Sequence, residues 1–207
     1  MTEVELAKKF IEYFSENHEI FSEVPANGIV DFFAVVGSIR IAVEVKKSLN
    51  FKVIEQAYKN KAYATYSYAA VPFTKRGTFA LKICEMLGVG VIQYRENYVR
   101  GGKMIREVVK PNINRKIYKV KLEEYMKRSV AGSQNDRVTA FQVSVENIVI
   151  YLKRNSGKAK MGEVLDNIDY HWSTISSAKG CIRQWCKIGV IKDFYIEKGY
   201  LILKNNK

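Results

Sequence analysis

The pattern of apolar and polar positions along the first half of the chain predicts a mixture of helices and strands. Apolar residues recur every three or four positions over residues 3–16 and 51–66, which is typical of amphipathic helices. Short apolar runs bounded by turn residues predict strands between them. The predicted order is helix 3–16, strands 18–24, 28–36 and 39–47, helix 51–66, strand 68–73, helix 78–87 and strand 89–94.

From residue 139 onward the pattern predicts three helices followed by a hairpin. One helix begins near Thr139, a shorter one covers 160–168, and a third begins after Ser173 or Thr174 and ends at Gly189. Strands are predicted over 190–194 and 200–203. Residues 95–138 show no clear periodicity, and the small, polar run 131–136 is typical of a linker. The predicted domains are therefore 1–128 and 139–207, with a linker over 129–138. The third helix is expected to bury Ile175, Ala178, Ile182, Trp185 and Ile188.

The stretch 28–47 has the pattern of a β-hairpin with Gly37 and Ser38 as its loop. A two-residue loop fixes the register, so Val36 faces Ile39 and, further along the strands, Asp31 faces Glu44. Because side chains alternate across a strand, Arg40, Glu44 and Lys46 project to the same side as Asp31. Directly opposed residues lie about 5 Å apart, so the pattern predicts two neighbouring carboxylates.

Two carboxylates at this distance repel each other, and burying an unpaired one costs several kcal/mol. A divalent cation between them, with Lys46 beside it, would compensate, and oxygen ligands suit Mg²⁺. The alternative is a half-exposed surface cluster in which Lys46 neutralises one acid. The run 28–36 is apolar on both faces apart from Asp31, which is typical of a buried central strand and favours the cation hypothesis.

Asp31 followed by Glu44-Val45-Lys46 resembles the motif of the PD-(D/E)XK, or restriction-endonuclease-like, nuclease superfamily. Val30 stands where that family often has proline. The resemblance implies an α/β fold with an αβββαβ core and a mixed central sheet. It also implies Mg²⁺, with Mn²⁺ as an alternative ion, held by Asp31, Glu44 and the carbonyl of Val45, with Lys46 as a catalytic residue.

Two further residues are candidates through the same resemblance. Gln56, in the first turns of the second helix, corresponds to a family residue near the scissile bond, although an exposed helix glutamine explains it equally well. The family also uses a glutamate from its first helix. Glu12 is the mid-helix candidate, but it points away from the apolar stripe, so we expect it at the surface.

The C-terminal pattern resembles a winged helix-turn-helix, an α+β module that either binds DNA or serves as a protein-interaction module. The resemblance implies that the third helix presents polar side chains to a DNA groove and that the wing turn contributes another. The candidate nucleic-acid contacts there are Ser176, Ser177, Lys179, Arg183, Lys187 and, at the wing turn, Lys198. Lys75 and Arg76 follow a strand end and are expected to meet phosphates, with a solvated turn as the alternative.

The net charge of +13 is concentrated after residue 72. Residues 1–72 carry 8 basic and 9 acidic side chains, residues 73–138 carry 15 and 6, and residues 139–207 carry 11 and 6. This asymmetry favours a polyanionic partner, with nucleic acid first. The chain has no apolar run long enough to span a membrane, and its three cysteines lack zinc-site spacing.

Together these features predict a cytoplasmic, metal-dependent endonuclease that acts on double-stranded DNA as a homodimer. One alternative is a DNA-binding regulator whose nuclease-like domain is catalytically silent. The other is a nuclease directed to RNA, which would use the same residues.

Overall fold

The computed structural model describes residues 1–74, 78–98, 102–133 and 137–204. The chain forms two compact units, Met1–Arg137 and Val138–Lys207. The first unit is mixed α/β with a six-stranded central sheet, and the second combines three helices with a three-stranded sheet. None of the helices within the described ranges has the length and apolar character needed to cross a bilayer.

In the first unit the elements follow one another with short connections. They are α1 (Glu3–Ser15), β1 (Glu19–Ala26), β2 (Gly28–Val36), β3 (Ile39–Val45), α2 (Phe51–Asn60), β4 (Tyr66–Pro72), α3 (Thr78–Leu87), β5 (Gly90–Tyr98), β6 (Gly102–Val109) and a 3₁₀ helix (Glu124–Arg128). Both α1 and α2 have side-chain N-caps. Thr2 forms a capping box with Glu5 before α1, and the Asn50 side chain accepts from the Val53 N–H at the start of α2.

The strands of the central sheet lie in chain order, β1 to β6. β1, β2 and β3 form an antiparallel meander, β3, β4 and β5 are parallel, and β6 returns antiparallel to β5. The parallel pairs are connected through α2 and α3, as crossover connections require. β2 is a central strand with Phe32 and Phe33 fully buried on its two faces, as its apolar pattern predicts.

Helices cover both faces of this sheet. On one face, Leu6 and Phe10 of α1 pack with Val43 and Val45 of β3. On the other face, Val53 and Ala57 of α2 pack with Ala69 of β4 and with apolar residues of α3 and β5. The segment around Met126 covers β1 and β2. The result is a layered α/β unit whose central strands carry the candidate site.

The second unit consists of α4 (Ala140–Arg154), β7 (Lys158–Lys160), α5 (Met161–Asp166), α6 (Ile175–Lys187), β8 (Phe194–Glu197) and β9 (Tyr200–Leu203). Its sheet has the order β7-β9-β8, with both pairs antiparallel. Ile148, Leu152, Ile182, Phe194 and Leu201 form the centre of its core. Thr139 and Thr174 both form capping boxes, so the predicted starts of α4 and α6 are confirmed.

Several predicted boundaries are wrong for identifiable reasons. α2 ends at Asn60 and not at residue 66, because Tyr66 already pairs with Ile41 as the first residue of β4. β8 begins at Phe194 and not at 190, so residues 190–193 lie outside the sheet. β6 and β7 were not predicted, because neither has a distinct apolar alternation.

Fewer residues of α6 are buried than its sequence pattern predicts. Ala178 and Ile182 are fully buried, whereas Ile175 and Ile188 are 38% and 61% exposed. Both exposed isoleucines lie at the ends of the helix, beyond the reach of the small core beneath it.

The boundary between the units follows Arg137, and Ala131 is buried among the residues that pack against α1, so the first unit extends past residue 128.

Candidate functional site

The hairpin register places the two motif acids at the same level of the sheet. Val36 pairs with Ile39 and Val35 with Arg40, and the ladder continues in that register to Phe32 and Val43. Asp31 and Glu44 are the next residues on the two strands. Gly37 has a φ of +56°, the left-handed conformation that a glycine adopts without strain in a tight loop.

Asp31 is held tightly by the strand beside it. Its Oδ2 accepts from the backbone N–H of Val45 at 2.7 Å and from Nζ of Lys46 at 3.4 Å. The residue is only 7% exposed, and burial raises the pKa of its carboxyl, although the Lys46 ammonium and the Val45 N–H partly offset that rise. The alternative of a half-exposed surface cluster is therefore wrong for Asp31.

Glu44 is the most deeply buried charged residue of the site, with 1% exposure. Its Oε1 accepts from Nδ2 of Asn60 at 2.8 Å, while Oε2 has no hydrogen-bond partner within the described ranges. Burial and the neighbouring Asp31 charge raise the pKa of Glu44 to about 8. A carboxyl with one oxygen buried and unpartnered carries a desolvation cost that a cation or a donor would remove.

Lys46 connects three elements at the edge of the site. Its Nζ lies 3.4 Å from Oε2 of Glu3, 3.4 Å from Oδ2 of Asp31 and 3.0 Å from the carbonyl oxygen of Val45. Burial alone would lower the pKa of Lys46, but the surrounding carboxylates outweigh it, so the pKa is raised above its ordinary value. Lys46 is therefore a fixed positive charge at neutral pH.

Of the α1 glutamates, Glu3 contacts Lys46, whereas the mid-helix Glu12 lies away from it at the surface. Glu3 begins α1 at the end where the helix meets Lys46. The side chain of Glu12 is 73% exposed and lies 3.9 Å from Lys9, so its expected surface position is confirmed. Sequence periodicity identifies the face of a helix, but not which of its ends approaches another element.

Gln56 lies on α2 one helical turn before Asn60, the residue that donates to Glu44. Its Oε1 atom is buried and has no hydrogen-bond partner in the part of the chain that the structure describes. The alternative of an exposed helix glutamine is therefore wrong. Glu44 of β3 and Gln56 of α2 thus each carry a buried acceptor oxygen that has no donor among the described residues.

A third carboxylate, Glu23 of β1, adjoins the site and was not predicted. Glu23 is 4% exposed and has a φ of +55°, which is unusual for a residue with a side chain. Its Oε1 accepts from the backbone N–H of Gly132 at 2.8 Å. Burial raises the pKa of Glu23, and the Asp31 charge adds to that rise. The β1–β2 register, extended across the reversal at Asn27, would have indicated it opposite Asp31.

The site therefore gathers acids from β1, β2 and β3 in one row, with Lys46 and Glu3 at its edge. Across the described ranges, no three His, Cys, Asp or Glu side chains converge as a ready-made metal-binding group. Asp31 and Glu44 remain neighbouring carboxyl groups at the same level of β2 and β3, and the Asp31 charge contributes to the raised pKa of Glu44.

The predicted nucleic-acid contacts of the second unit have different environments. Ser176, Arg183, Lys187 and Lys198 are exposed, and Lys198 occupies the turn between β8 and β9. The Ser177 hydroxyl instead completes the cap with Thr174.

Two further groups of predicted contacts stand apart from these exposed residues. Lys179 is half-buried, with its Nζ near Gly162 of α5. Lys75 and Arg76 lie outside the described residues.

No family model matches the sequence, and no curated protein is significantly similar to it.

Proposed function

We propose that the chain is a metal-dependent endonuclease that hydrolyses phosphodiester bonds of DNA. The observation that carries this proposal is Glu44, an acid that is 1% exposed beside Asp31 and has one carboxyl oxygen without a hydrogen-bond partner in the described part of the chain. A protein gains no stability from such a residue, so a role in binding explains it best. The order α1-β1-β2-β3-α2-β4 supports the resemblance to the restriction-endonuclease-like core.

The residues present fit a hard divalent cation. Mg²⁺ is typically bound through one or two carboxylates together with water and substrate phosphates. Asp31, Glu44 and the Val45 carbonyl would hold it, and the buried oxygen of Glu44 would gain the partner that it lacks. When bound, Mg²⁺ polarises a phosphodiester oxygen and lowers the pKa of a coordinated water.

Lys46 contributes a fixed positive charge to this chemistry. Because the neighbouring carboxylates raise its pKa, it remains protonated, so a role as a general base does not suit it. Held by Glu3 and Asp31, the ammonium can orient a water or a phosphate oxygen by donating hydrogen bonds. It also offsets negative charge as it builds up on the phosphate in the transition state.

The second unit supports recognition of DNA. Its three helices and β8–β9 hairpin have the pattern of a winged helix, and α6 exposes Arg183 and Lys187. Contacts of this kind hold the phosphate backbone and orient the protein on the duplex. Because cutting both strands requires two sites, we also propose a homodimer.

Cleavage of plasmid DNA tests the proposal directly. The purified full chain is incubated with methylated and unmethylated plasmid in Mg²⁺, Mn²⁺ or EDTA, beside Glu44→Gln and Lys46→Ala. We expect cleavage only with metal and a loss of at least about a hundredfold in each variant. Glu12→Gln is the control, because it removes an exposed acid from the same unit.

The other outcomes identify the alternatives. DNA binding without metal-dependent cleavage would indicate the regulator with a silent nuclease-like domain. Metal-dependent cleavage of RNA but not of DNA would indicate the RNA-directed nuclease. If Glu44→Gln cuts as fast as the unmodified chain, the proposed site is wrong.

A further inference from the structure

The backbone around Glu23 is distorted at one point of an otherwise regular strand pair. On either side of it, Ser22 pairs with Phe32 and Val24 with Val30 in a single register. Glu23 itself adopts a left-handed φ of +55°, a conformation that costs energy for a residue with a Cβ. The buried carboxylate of Glu23 contacts a segment far along the chain, since it accepts a hydrogen bond from the N–H of Gly132.

The segment that Glu23 holds is Ala131–Ser133, which we name the junction segment. It lies in the first unit, a few residues before the boundary that follows Arg137. Ala131 is 1% exposed and packs in the core beneath α1. Gly132 has a φ of +75°, and a Cβ built on it would lie 3.5 Å from the backbone carbon of Glu3. The junction segment therefore touches the start of α1, which also carries the Lys46 partner.

We propose that Glu23 is a positioning residue that couples cation binding at Asp31 and Glu44 to the anchoring of the junction segment. The proposal rests on the proposed function, since it requires a cation at that pair. Oε1 of Glu23 accepts from the Gly132 N–H, and we place Glu23 beside the cation ligands and not among them.

The coupling follows from the charges. Glu23 lies opposite Asp31 in the register of β1 and β2, so without a cation two buried carboxyl groups are cross-strand neighbours, and repulsion between them destabilises this arrangement. A divalent cation at Asp31 and Glu44 offsets this repulsion and so stabilises the arrangement in which Glu23 accepts from the Gly132 N–H. Because coupling is reciprocal, a firmly anchored junction segment favours cation binding in return.

Amide exchange measured by NMR on the full chain, without nucleic acid, tests the coupling. In the unmodified protein, we expect saturating Mg²⁺ to slow exchange of the Gly132 N–H by at least about fivefold. The amide of Asn112, which donates to the Gly88 carbonyl, serves as the internal reference and should not change. In Glu23→Gln, which keeps an acceptor but removes the charge, we expect the effect of Mg²⁺ on Gly132 to fall below twofold.

Glu19→Gln is the matched control. It makes the same substitution on the same strand at an exposed residue that pairs with Lys127, so the response of Gly132 to Mg²⁺ should be retained. Calorimetry of Mg²⁺ binding separates the two ways of failing. If Mg²⁺ does not bind, the proposed function fails and this inference with it. If Mg²⁺ binds but exchange at Gly132 does not change, or changes equally in Glu23→Gln, only the inference is overturned.

Discussion

The two units of the chain use their charged side chains in opposite ways. In the first unit, Glu23, Asp31 and Glu44 are all less than 10% exposed and lie in the sheet, where every charge requires compensation. In the second unit, Arg183 and Lys187 are exposed on α6, where water already compensates them. The comparison teaches that the buried acids should dominate both stability and function, whereas the exposed cations should adjust binding without affecting the fold.

The largest effect is expected from neutralising Glu44. Its pKa in the folded protein is about 8, above the ordinary value of 4.5, so the folded state keeps a proton that the unfolded state releases in this interval. The free energy of unfolding therefore falls as the pH rises from about 5 to 8. Glu44→Gln should remove the part of this fall that Glu44 causes, while Asp31 and Glu23, whose pKa values are also raised, retain theirs, and it should stabilise the metal-free first unit at pH 9 by on the order of 3 kcal/mol.

Urea unfolding followed by circular dichroism at pH 5 and pH 9 measures this difference. At pH 5 the two proteins should be nearly equal, because Glu44 is then protonated and similar in shape to glutamine. Mg²⁺ at pH 8 should stabilise the unmodified chain but not Glu44→Gln. Equal stability at both pH values would mean that Glu44 is not a buried, unpaired acid.

Removing the Lys46 side chain should lower the free energy of unfolding of the first unit, by less than Glu44→Gln raises it. Lys46→Ala leaves Asp31 and Glu3 without their shared cation, which should destabilise the first unit by about 2 kcal/mol, since the ammonium is only partly buried. The exposed neighbour Lys47 provides the control, because Lys47→Ala removes the same side chain without these contacts. Similar losses in both variants would contradict the proposed network around Lys46.

In the second unit, the largest single polar contribution is expected from the cap of α6. Thr174 accepts from the Ser177 N–H, and Thr174→Ala should destabilise this unit by about 1 kcal/mol. Both tryptophans of the chain, Trp172 and Trp185, lie in the second unit, so their fluorescence records its unfolding selectively. Ser176→Ala, which removes a neighbouring exposed hydroxyl, should change the midpoint little.

The smallest effects on the fold are expected from the exposed cations. Arg183→Ala and Lys187→Ala should each weaken DNA binding several-fold at moderate salt and reduce the salt dependence by about one released ion, with no loss of stability. Fluorescence anisotropy with a labelled duplex at several salt concentrations measures both quantities. Unchanged affinity in the double variant would favour a protein-interaction role for the second unit.

Local chemistry made much of the fold predictable. The Gly37 loop and strict alternation determine the register of β2 and β3, so the pairing of Val36 with Ile39 and of Val35 with Arg40 is confirmed. The α3 bounds agree with those predicted, 78–87. Motif acids on a two-stranded hairpin can be placed from sequence because few residues separate them.

The remaining features depend on contacts between distant parts of the chain. Glu3 reaches Lys46 across 43 positions, and Glu23 meets Gly132 across 109. Neither contact leaves a periodic signal. The end of α2 was misplaced because Tyr66 has reasonable propensity for either structure, and its pairing with Ile41 in the sheet decides between them.

The strand order of the central sheet bears on how the chain acquires its structure. Since β1 to β6 lie side by side in the order of synthesis, each strand can join a neighbour already formed, and few contacts require distant segments to meet. The row of acids on β1, β2 and β3 can thus be assembled early in folding. Gly132 follows the whole sheet in the sequence, so we expect the Glu23 carboxylate to acquire its partner late in the folding of the first unit.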